Sequence, residues 1–178
     1  MSFTVIAPIF NEEKNIPVLF SEILNSCNKI PLTQVIFVND SSNDNSLKQL
    51  KKIKNTKFKF ISHDSTLVQS AAIHTGVISS KNDIIITIDG DIKNDTLDNP
   101  NHYKKFLIIK KNTVFIQGYR SSRKDTISKI IASKIANYIR TLILGDDHPD
   151  SGCGLKIFNK KDYLLLPHFK NMHRFMPF

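Results

Sequence analysis

The sequence predicts one α/β domain, with a mostly parallel, Rossmann-like central sheet and helices on both of its faces. Short runs of β-branched and apolar residues alternate with amphipathic stretches along most of the chain. The connections between them are short, which is typical of βαβ units. The strand candidates are almost continuously apolar, as expected for a sheet that is covered on both sides.

The individual elements follow from these patterns. Strands are predicted at residues 3–7, 34–38, 58–61, 83–88 and 114–116, with Pro8 ending the first. The first helix carries one apolar face, formed by Ile16, Leu19, Phe20, Ile23, Leu24 and Cys27. The second helix carries Leu47, Leu50 and Ile53, and two further helices are predicted at residues 68–79 and 126–144. No internal repeat or low-complexity linker divides the chain, so residues 1–178 are expected to form a single domain.

Composition excludes several classes of protein. The chain has 178 residues, of which 40% are hydrophobic and 23% charged, and this length can bury a sizeable core. Its two cysteines, Cys27 and Cys153, provide neither a disulfide framework nor a zinc site of their own. We find no secretory signal and no apolar run long enough to cross a membrane. A cytoplasmic domain is therefore expected, with the inner face of the membrane left open as its location.

The charge balance indicates an anionic partner. There are 25 basic and 16 acidic residues, a net charge of +9. Nucleic acid, a membrane surface and phosphorylated substrates would all suit such a charge. No RNA-binding aromatic signature or helix–turn–helix pattern is present, so nucleic acid is the weakest of these options. Many of the lysines also lie in runs that would simply form a solvated face.

Polar residues follow three of the predicted strands. Glu12 comes after the first strand, Asp40 after the second, and Asp89 and Asp91 after the fourth. Ligands of parallel α/β sheets bind beyond the carboxyl ends of the strands, so these acids are expected to meet at one edge. A functional site at that edge is the main prediction from the residues alone.

Asp89 and Asp91 are the most informative pair. In an extended segment, residues two apart point the same way, so both carboxylates can face one ion. Mg²⁺ and Mn²⁺ prefer such oxygen ligands and often complete their shell with substrate phosphates. An Asp-Gly-Asp turn on the surface is the ordinary alternative. The chain has no glycine-rich phosphate loop, which disfavours dehydrogenases and P-loop enzymes.

Seven ordered runs then carry a family resemblance. They are PIFNE at 8–12, VNDSSND at 38–44, QSAA at 69–72 followed by Gly76, ITIDGD at 86–91, GYRSSRKD at 118–125, DSGCGLK at 150–156 and MHRFMP at 172–177. Together they resemble the motifs of family 2 glycosyltransferases with the GT-A fold. The runs at 69–76, 118–125, 150–156 and 172–177 are similar to the branch that acts on dolichyl or undecaprenyl phosphate, that is, on polyprenyl phosphates.

The resemblance implies an inverting, metal-dependent transfer of a sugar from a UDP- or GDP-linked donor to a polyprenyl phosphate, as in cell envelope biosynthesis. By motif, Pro8, Phe10, Glu12 and Asp40 would hold the nucleoside, and Gln69 would be a further substrate-binding residue. Asp89 and Asp91 would hold Mg²⁺ or Mn²⁺ and the diphosphate. The acceptor side would comprise Arg120, Arg123, Lys156, His173 and Arg174. Asp91, Asp150 and Arg120 are the candidates for the catalytic step itself.

The chemistry of the acceptor supports this assignment. A sugar hydroxyl needs a general base, whereas a phosphomonoester with a second pKa of about 6 is already anionic near pH 7. Such an acceptor needs cations and orientation, which Arg120, Arg123 and Lys124 offer within a short segment. Asp150 is equally suited to act as a base or orienting acid and to hold a basic side chain structurally.

Some features depart from the family pattern and keep alternatives open. Asn39 and Ser41 stand where the family often has Asp and Gly, and KNDT at 93–96 replaces a more usual QNDP. The family normally continues beyond the last motif, often into transmembrane helices, whereas this sequence ends at Phe178. A truncated, non-catalytic domain that binds nucleotide or lipid is therefore one alternative, and transfer to a saccharide hydroxyl is another. A nucleotidyltransferase is disfavoured because the loop after the first strand is acidic.

Two questions about partners also stay open. The helix at 126–144 has an apolar face punctuated by basic residues, which suits packing on the sheet or a peripheral contact with anionic headgroups. A homo-oligomer is compatible with the sequence but not indicated by any particular motif.

Overall fold

The structure is a computed structural model that describes residues 1–91, 99–109, 115–118 and 153–167. The strands in these ranges are β1 (Phe3–Ile9), β2 (Leu32–Asn39), β3 (Phe58–Ser62), β4 (Ile84–Thr87), β5 (Ile116–Gln117) and β6 (Lys156–Asn159). The helices are α1 (Ile16–Ser26), α2 (Ser46–Lys52), α3 (Val68–Ser79), α4 (Asn99–Ile109) and α5 (Lys160–Leu164). None of the helices in these ranges is both long and apolar enough to cross a bilayer.

The strands form one mixed sheet in the order β3-β2-β1-β4-β6-β5. β1 lies in its middle and pairs in parallel with both neighbours, so that Val5 is opposite Val35 on β2 and Ile86 on β4. β3 continues the parallel part, while β6 runs antiparallel to β4 and to β5. The mostly parallel sheet predicted from the sequence is confirmed.

The two faces of the sheet are covered by different helices. Alternate residues of β1 point to opposite faces. Val5 packs with residues of α1 and α4, and Ile6 packs with residues of α3 and α5. The first core contains Ile16, Leu19, Ile23, Tyr103 and Phe106, and the second contains Ala72, Ile73, Val77 and Tyr163. Helices on both faces are therefore confirmed.

A glycine lets α3 approach the sheet closely. A Cβ atom added at Gly76 would lie 2.5 Å from Cγ2 of Ile6, nearer than side chains tolerate. At the amino end of the sheet, the Thr4 and Ser80 hydroxyls are 2.7 Å apart and hydrogen-bonded. These contacts fix the position of α3, whose other end lies at the carboxyl edge of the sheet.

The first strand is longer than predicted, because it continues through Pro8 to Ile9. Pairing with β4 ends at Ile6, and the Ile6 carbonyl accepts a hydrogen bond from Ile88 on that side. In a parallel sheet, every second residue of a strand forms its backbone hydrogen bonds with the same neighbouring strand. The backbone of Pro8, like that of Ile6, therefore faces β4, where the pairing of the two strands has already ended. A missing N–H is tolerated at such a position, and the expectation that Pro8 ends the strand was wrong.

The other predicted helices and strands agree with the structure to different degrees. The helix at 68–79 has the predicted bounds, and the first four strands lie within a few residues of theirs. α4, β6 and α5 were not predicted from the sequence. The predicted helix at 126–144 lies outside the described residues, as does Val114 of the last predicted strand.

Candidate functional site

The carboxyl ends of β1, β2 and β4 meet at one edge of the sheet, as parallel pairing requires. The backbone N–H of Asp40 donates to the Ile9 carbonyl over 2.8 Å, which ties the end of β2 to the end of β1. On the other side of β1, Ile88 donates to Ile6, and Asp89 follows directly. This arrangement brings Asp40 and Asp89 to the same edge, together with the loop that carries Phe10 and Glu12, as predicted.

The loops after β1 and β2 are joined to each other by hydrogen bonds in both directions. The N–H of Asn11 donates to Ser42 Oγ (3.0 Å), and the N–H of Asn43 donates back to Asn11 Oδ1 (2.9 Å). Three further bonds run from Glu12 N to Ser46 Oγ, from Glu13 N to Asp44 Oδ2 and from Asn45 N to Glu13 Oε2. The two loops therefore form one rigid wall of the site.

Left-handed backbone conformations shape this wall. Asn11 has a φ of 57° and Ser41 a φ of 59°, a region that glycine adopts without strain and that asparagine tolerates. Ser41 stands where the resembled motif has glycine, and it adopts a left-handed conformation that glycine would adopt without strain. Asn39, which replaces an aspartate of that motif, is buried and bonds to Ser42 N and to the Ser62 hydroxyl.

Asp40 is nearly buried at this edge, with 4% of its surface exposed. Its Oδ1 accepts hydrogen bonds from the backbone N–H of Leu67 (2.8 Å) and from Nδ1 of His63 (2.8 Å). The carboxylate is thus held in one orientation by groups from the segment that follows β3. A buried carboxylate with fixed donors is a suitable acceptor for a ligand N–H or O–H.

Asp89 is held by two different neighbours. Nε2 of Gln69 donates to its Oδ1 over 3.0 Å. On the other side lies Gly154, where an added Cβ would come within 2.1 Å of the same oxygen. The Gly154 carbonyl also accepts a bond from the Thr87 hydroxyl of β4 (2.9 Å). Only glycine at position 154 leaves room for the Asp89 carboxylate in this position.

Asp40 and Asp89 are connected through a three-residue segment. Leu67 donates to Asp40, Gln69 donates to Asp89, and Val68 between them has a φ of 65°. A β-branched residue is rarely found in this left-handed region, and such strain costs about 1–3 kcal/mol. The strained residue therefore lies between the two carboxylates of the candidate site.

The residues present fit a hard divalent cation in part. Asp91 is half-buried two residues after Asp89, and a Cβ at Gly90 would lie 2.7 Å from the Pro8 carbonyl, so this turn packs against the end of β1. Within the described ranges no group of three His, Cys, Asp or Glu side chains could hold a metal ion. A divalent cation held by Asp89 and Asp91 would therefore take its remaining ligands from elsewhere, such as phosphates or water.

The other predicted residues on the described part of the chain are also near this edge. Phe10 is 49% exposed, and Pro8 is half-buried. Glu12 Oε2 accepts from Asn15 Nδ2 over 2.5 Å, and its Cγ approaches Gly90. Lys156 is buried in β6 opposite Thr87, with Nζ 5.9 Å from the centre of the Phe115 ring. Arg120, Arg123, Asp150, His173 and Arg174 lie outside the described residues.

Two residues of the site were not assigned a role from the sequence, although Gly154 lies within the DSGCGLK run at 150–156. His63 follows β3 directly, and the rule that ligands bind beyond the carboxyl ends of strands would have found it had it been applied to that strand. The role of Gly154 depends on its approach to Asp89, which is distant in sequence, so no local signal could have revealed it.

Asp44 gives the wall of the site a dependence on pH. Burial acts to raise the pKa of Asp44, but hydrogen bonds from the Ser46 hydroxyl and from the backbone N–H groups of Ser46 and Glu13 outweigh it and lower the pKa below the ordinary value of 3.8. A carboxyl whose pKa falls on folding stabilises the protein above its unfolded-state pKa. That contribution is lost as the pH falls through the lower, folded-state pKa.

We expect Asp44→Asn to lower the free energy of unfolding by about 1 kcal/mol at pH 7, because a neutral amide accepts these hydrogen bonds more weakly. The difference from the wild type should shrink as the pH is lowered from 5 towards 2. Urea denaturation across this pH range measures it. Asp64→Asn, at an exposed position after β3, is the control and should change little. Equal effects of the two substitutions, or a difference that is constant with pH, would contradict this assignment.

Comparisons with known proteins agree with this architecture. The family model for glycosyl transferase family 2 matches residues 4–164. Among curated proteins, the dodecaprenyl-phosphate galacturonate synthase of Rhizobium johnstonii is 28% identical over 99% of this chain and 53% of its own length. The undecaprenyl-phosphate 4-deoxy-4-formamido-L-arabinose transferase of Pectobacterium atrosepticum is 28% identical over 88% of this chain and 48% of its own length. The chain thus spans about half the length of these relatives.

Solved structures share the fold at low sequence identity. Mannosyl-3-phosphoglycerate synthase from Rubrobacter xylanophilus matches 90% of this chain and 54% of its own, with a TM-score of 0.68 and 13% identity. Glucosyl-3-phosphoglycerate synthase from Mycobacterium tuberculosis, solved with Mn²⁺, uridine diphosphate and phosphoglyceric acid, matches 90% and 56%, with a TM-score of 0.66 and 16% identity. These likenesses confirm the GT-A fold. Because the family model covers nearly the whole described sheet, from β1 to α5, this chain belongs to glycosyl transferase family 2.

Proposed function

We propose that this chain is a single glycosyltransferase domain that moves a sugar from a UDP- or GDP-linked donor to a polyprenyl phosphate, with inversion at the anomeric carbon. The observation that carries the donor half is the pair of oriented carboxylates, Asp40 and Asp89, held at one sheet edge by the segment that links them. The acceptor half is supported by the relatives, whose names specify dodecaprenyl and undecaprenyl phosphate.

The donor is proposed to lie along the edge from β2 to β4. Its nucleoside would contact Asp40, with Phe10 offering an exposed aromatic face close by. Its diphosphate would extend towards Asp89 and Asp91 and share Mg²⁺ or Mn²⁺ with them. When bound, such a cation supplies positive charge to the diphosphate that leaves.

The described residues on this side are proposed to orient the donor. Gln69 would hold Asp89 in place, and Gly154 would leave the space that the carboxylate occupies. The buried Lys156, which the motif places on the acceptor side, lies on the strand next to β4 and would add positive charge between the donor phosphates and the acceptor. No general base is required if the acceptor is an anionic phosphate, because its oxygen can attack directly.

The acceptor side remains a prediction from the sequence. Arg120, Arg123, His173 and Arg174 are proposed to bind the polyprenyl phosphate, and Asp150 to orient a basic side chain or the acceptor. Arginine suits this role because its planar fork binds phosphate oxygens in pairs. A peripheral contact with the membrane would follow from the lipid acceptor, and the net charge of +9 is compatible with an anionic surface.

The donor half is tested by removing the carboxylates one at a time. Asp89→Ala and Asp91→Ala should each lower the affinity for UDP or GDP in the presence of Mn²⁺ at least tenfold, about 1.4 kcal/mol. Isothermal titration calorimetry measures this. Asp83→Ala is the matched control, because Asp83 is exposed at the opposite end of the same strand segment and should leave affinity unchanged.

Gly154→Ala tests whether nucleotide binding depends on the position of the Asp89 carboxylate as well as on its charge. This variant keeps both carboxylates, yet its new Cβ must displace Asp89, so nucleotide affinity should fall as well. If all these variants bind nucleotide as Asp83→Ala does, the proposed donor site is wrong.

The acceptor half is tested by a transfer assay with a short-chain prenyl phosphate in detergent. Arg120→Ala, Arg123→Ala and Arg174→Ala should each lower transfer about ten- to a hundredfold, since charge-assisted hydrogen bonds contribute roughly 1.5–3 kcal/mol. Nucleotide affinity should barely change in these variants. Arg120→Lys should recover only part of the activity, and Lys48→Ala on the exposed face of α2 should be neutral.

Two results of that assay would contradict the acceptor assignment. Transfer to a free sugar but not to the prenyl phosphate would show that the acceptor is a saccharide hydroxyl. Metal-dependent nucleotide binding without transfer to either acceptor would support a non-catalytic binding domain instead.

A further inference from the structure

His63 is held at both of its ring nitrogens in the nearly buried space between β2 and α3. Nδ1 lies 2.8 Å from Asp40 Oδ1, and Nε2 lies 2.9 Å from the Thr75 hydroxyl. The His63 side chain is 9% exposed and that of Asp40 5%. The backbone N–H of His63 donates to the Asn39 carbonyl, which continues the pairing of β3 with β2. The ring therefore has little freedom to rotate.

The hydrogen-bonding chemistry assigns the protons of this chain of groups. An ionised carboxylate only accepts hydrogen bonds, so Nδ1 of His63 must carry the proton that Asp40 receives. In a neutral imidazole Nε2 then accepts from the Thr75 hydroxyl. In an imidazolium Nε2 donates to the same hydroxyl oxygen instead. Nδ1 remains a donor to Asp40 in either state.

The bonds to Asp40 are unequally divided between its two oxygens. Oδ1 accepts from His63 and from the N–H of Leu67. Within the described part of the chain, Oδ2 receives no hydrogen bond from another residue. Two donors on one oxygen fix the side-chain torsions of Asp40 and leave Oδ2 as the acceptor for a ligand.

We propose that His63 is a positioning residue for the nucleotide donor, which orients the Asp40 carboxylate so that Oδ2 accepts a hydrogen bond from the nucleoside. This inference rests on the proposed function, because it assumes that Asp40 contacts the donor. His63 itself does not touch the nucleotide and acts only through Asp40. Thr75 supports it from α3, and Leu67 supplies the second donor from the strained turn at Val68.

The proposal distinguishes His63 from a residue that only stabilises the fold. Without it, Asp40 keeps one fixed donor and can turn, so donor affinity should fall while the chemical step is unaffected. A positioning role thus predicts a higher KM for the donor sugar nucleotide with a kcat that is nearly unchanged. A purely structural role predicts a lower melting temperature with the same affinity in the folded protein.

The test compares three substitutions by calorimetry with UDP and with GDP in the presence of Mn²⁺. His63→Ala should lower the affinity of the nucleotide that the wild type binds about tenfold. His63→Asn should retain most of it, because its amide nitrogen occupies the same branch position as Nδ1 and can donate to Asp40. His63→Gln places its amide nitrogen one atom further out, towards Thr75, and should resemble His63→Ala.

His74→Ala is the matched control. His74 lies next to Thr75 on α3 but bonds to the Tyr163 hydroxyl on α5, away from Asp40. It should lower stability without lowering nucleotide affinity. If His63→Ala does not fold, comparing the nucleotide affinities of His63→Asn and His63→Gln still tests the proposal. Equal affinities of these two variants would overturn it.

Different results would overturn the donor site and the role of His63. A wild-type protein that binds neither nucleotide with Mn²⁺ would overturn the proposed function and this inference with it. A wild type that binds, together with His63→Ala of equal affinity, would overturn the role of His63 alone.

Discussion

The parallel pairing of β1 with both of its neighbours determines the rest of the structure. Because β2 and β4 run in the same direction on either side, three strand ends open onto one edge. The apolar alternation of β1 buries Val5 in one core and Ile6 in the other, so the register cannot slip without exposing both. The positions of Asp40 and Asp89 relative to each other are therefore fixed by the hydrophobic core.

The fine geometry of the edge depends on polar contacts that the core does not specify. The wall formed by the loops after β1 and β2 is held by backbone N–H groups that donate to serine, asparagine, aspartate and glutamate side chains. The carboxylates themselves are oriented by the turn at Val68, which stores strain in the same place. Strained backbone beside oriented charged groups is typical of sites that are preorganised for a ligand.

Much of this could be predicted from sequence because the strongest signals are local. The apolar run before Asp89 identifies a buried strand, and the carboxyl-end rule then places Asp40 and Asp89 together. The end of β1 was predicted too early because a proline is tolerated within a strand where the pairing with its neighbour has stopped. Where β1 stops pairing with β4 is a property of the whole sheet and cannot be seen in the local sequence. β6 was missed because four residues with one charged member give little periodicity, and its lysine is buried only in the folded protein.

The contacts that refine the site are the least predictable. Gly154 and Asp89 are 65 residues apart, and His63 meets Asp40 across 23. Tertiary packing brings such pairs together, and the local sequence around one residue does not indicate which residue it contacts. The motif residues that resemble a known family, Gln69 and Gly154 among them, could be identified without the structure, whereas the contacts by which they orient the carboxylates could not.

The proposed donor site is tested most directly by locating a bound cation and nucleotide on the sheet. In NMR spectra of ¹⁵N-labelled protein with UDP or GDP, substoichiometric Mn²⁺ broadens the amide signals of residues near the bound ion far more than those of distant residues. Because β1 spans about 20 Å from end to end, its two ends can be distinguished in this way. If the cation and nucleotide bind at the carboxyl edge, the signals of Ile9, Asp40 and Ile88 should broaden first, while those of Phe3, Leu32 and Ile84 at the amino ends persist, and Mg²⁺ should cause no broadening. Broadening that begins at the amino ends, or that is uniform over the surface, would contradict it.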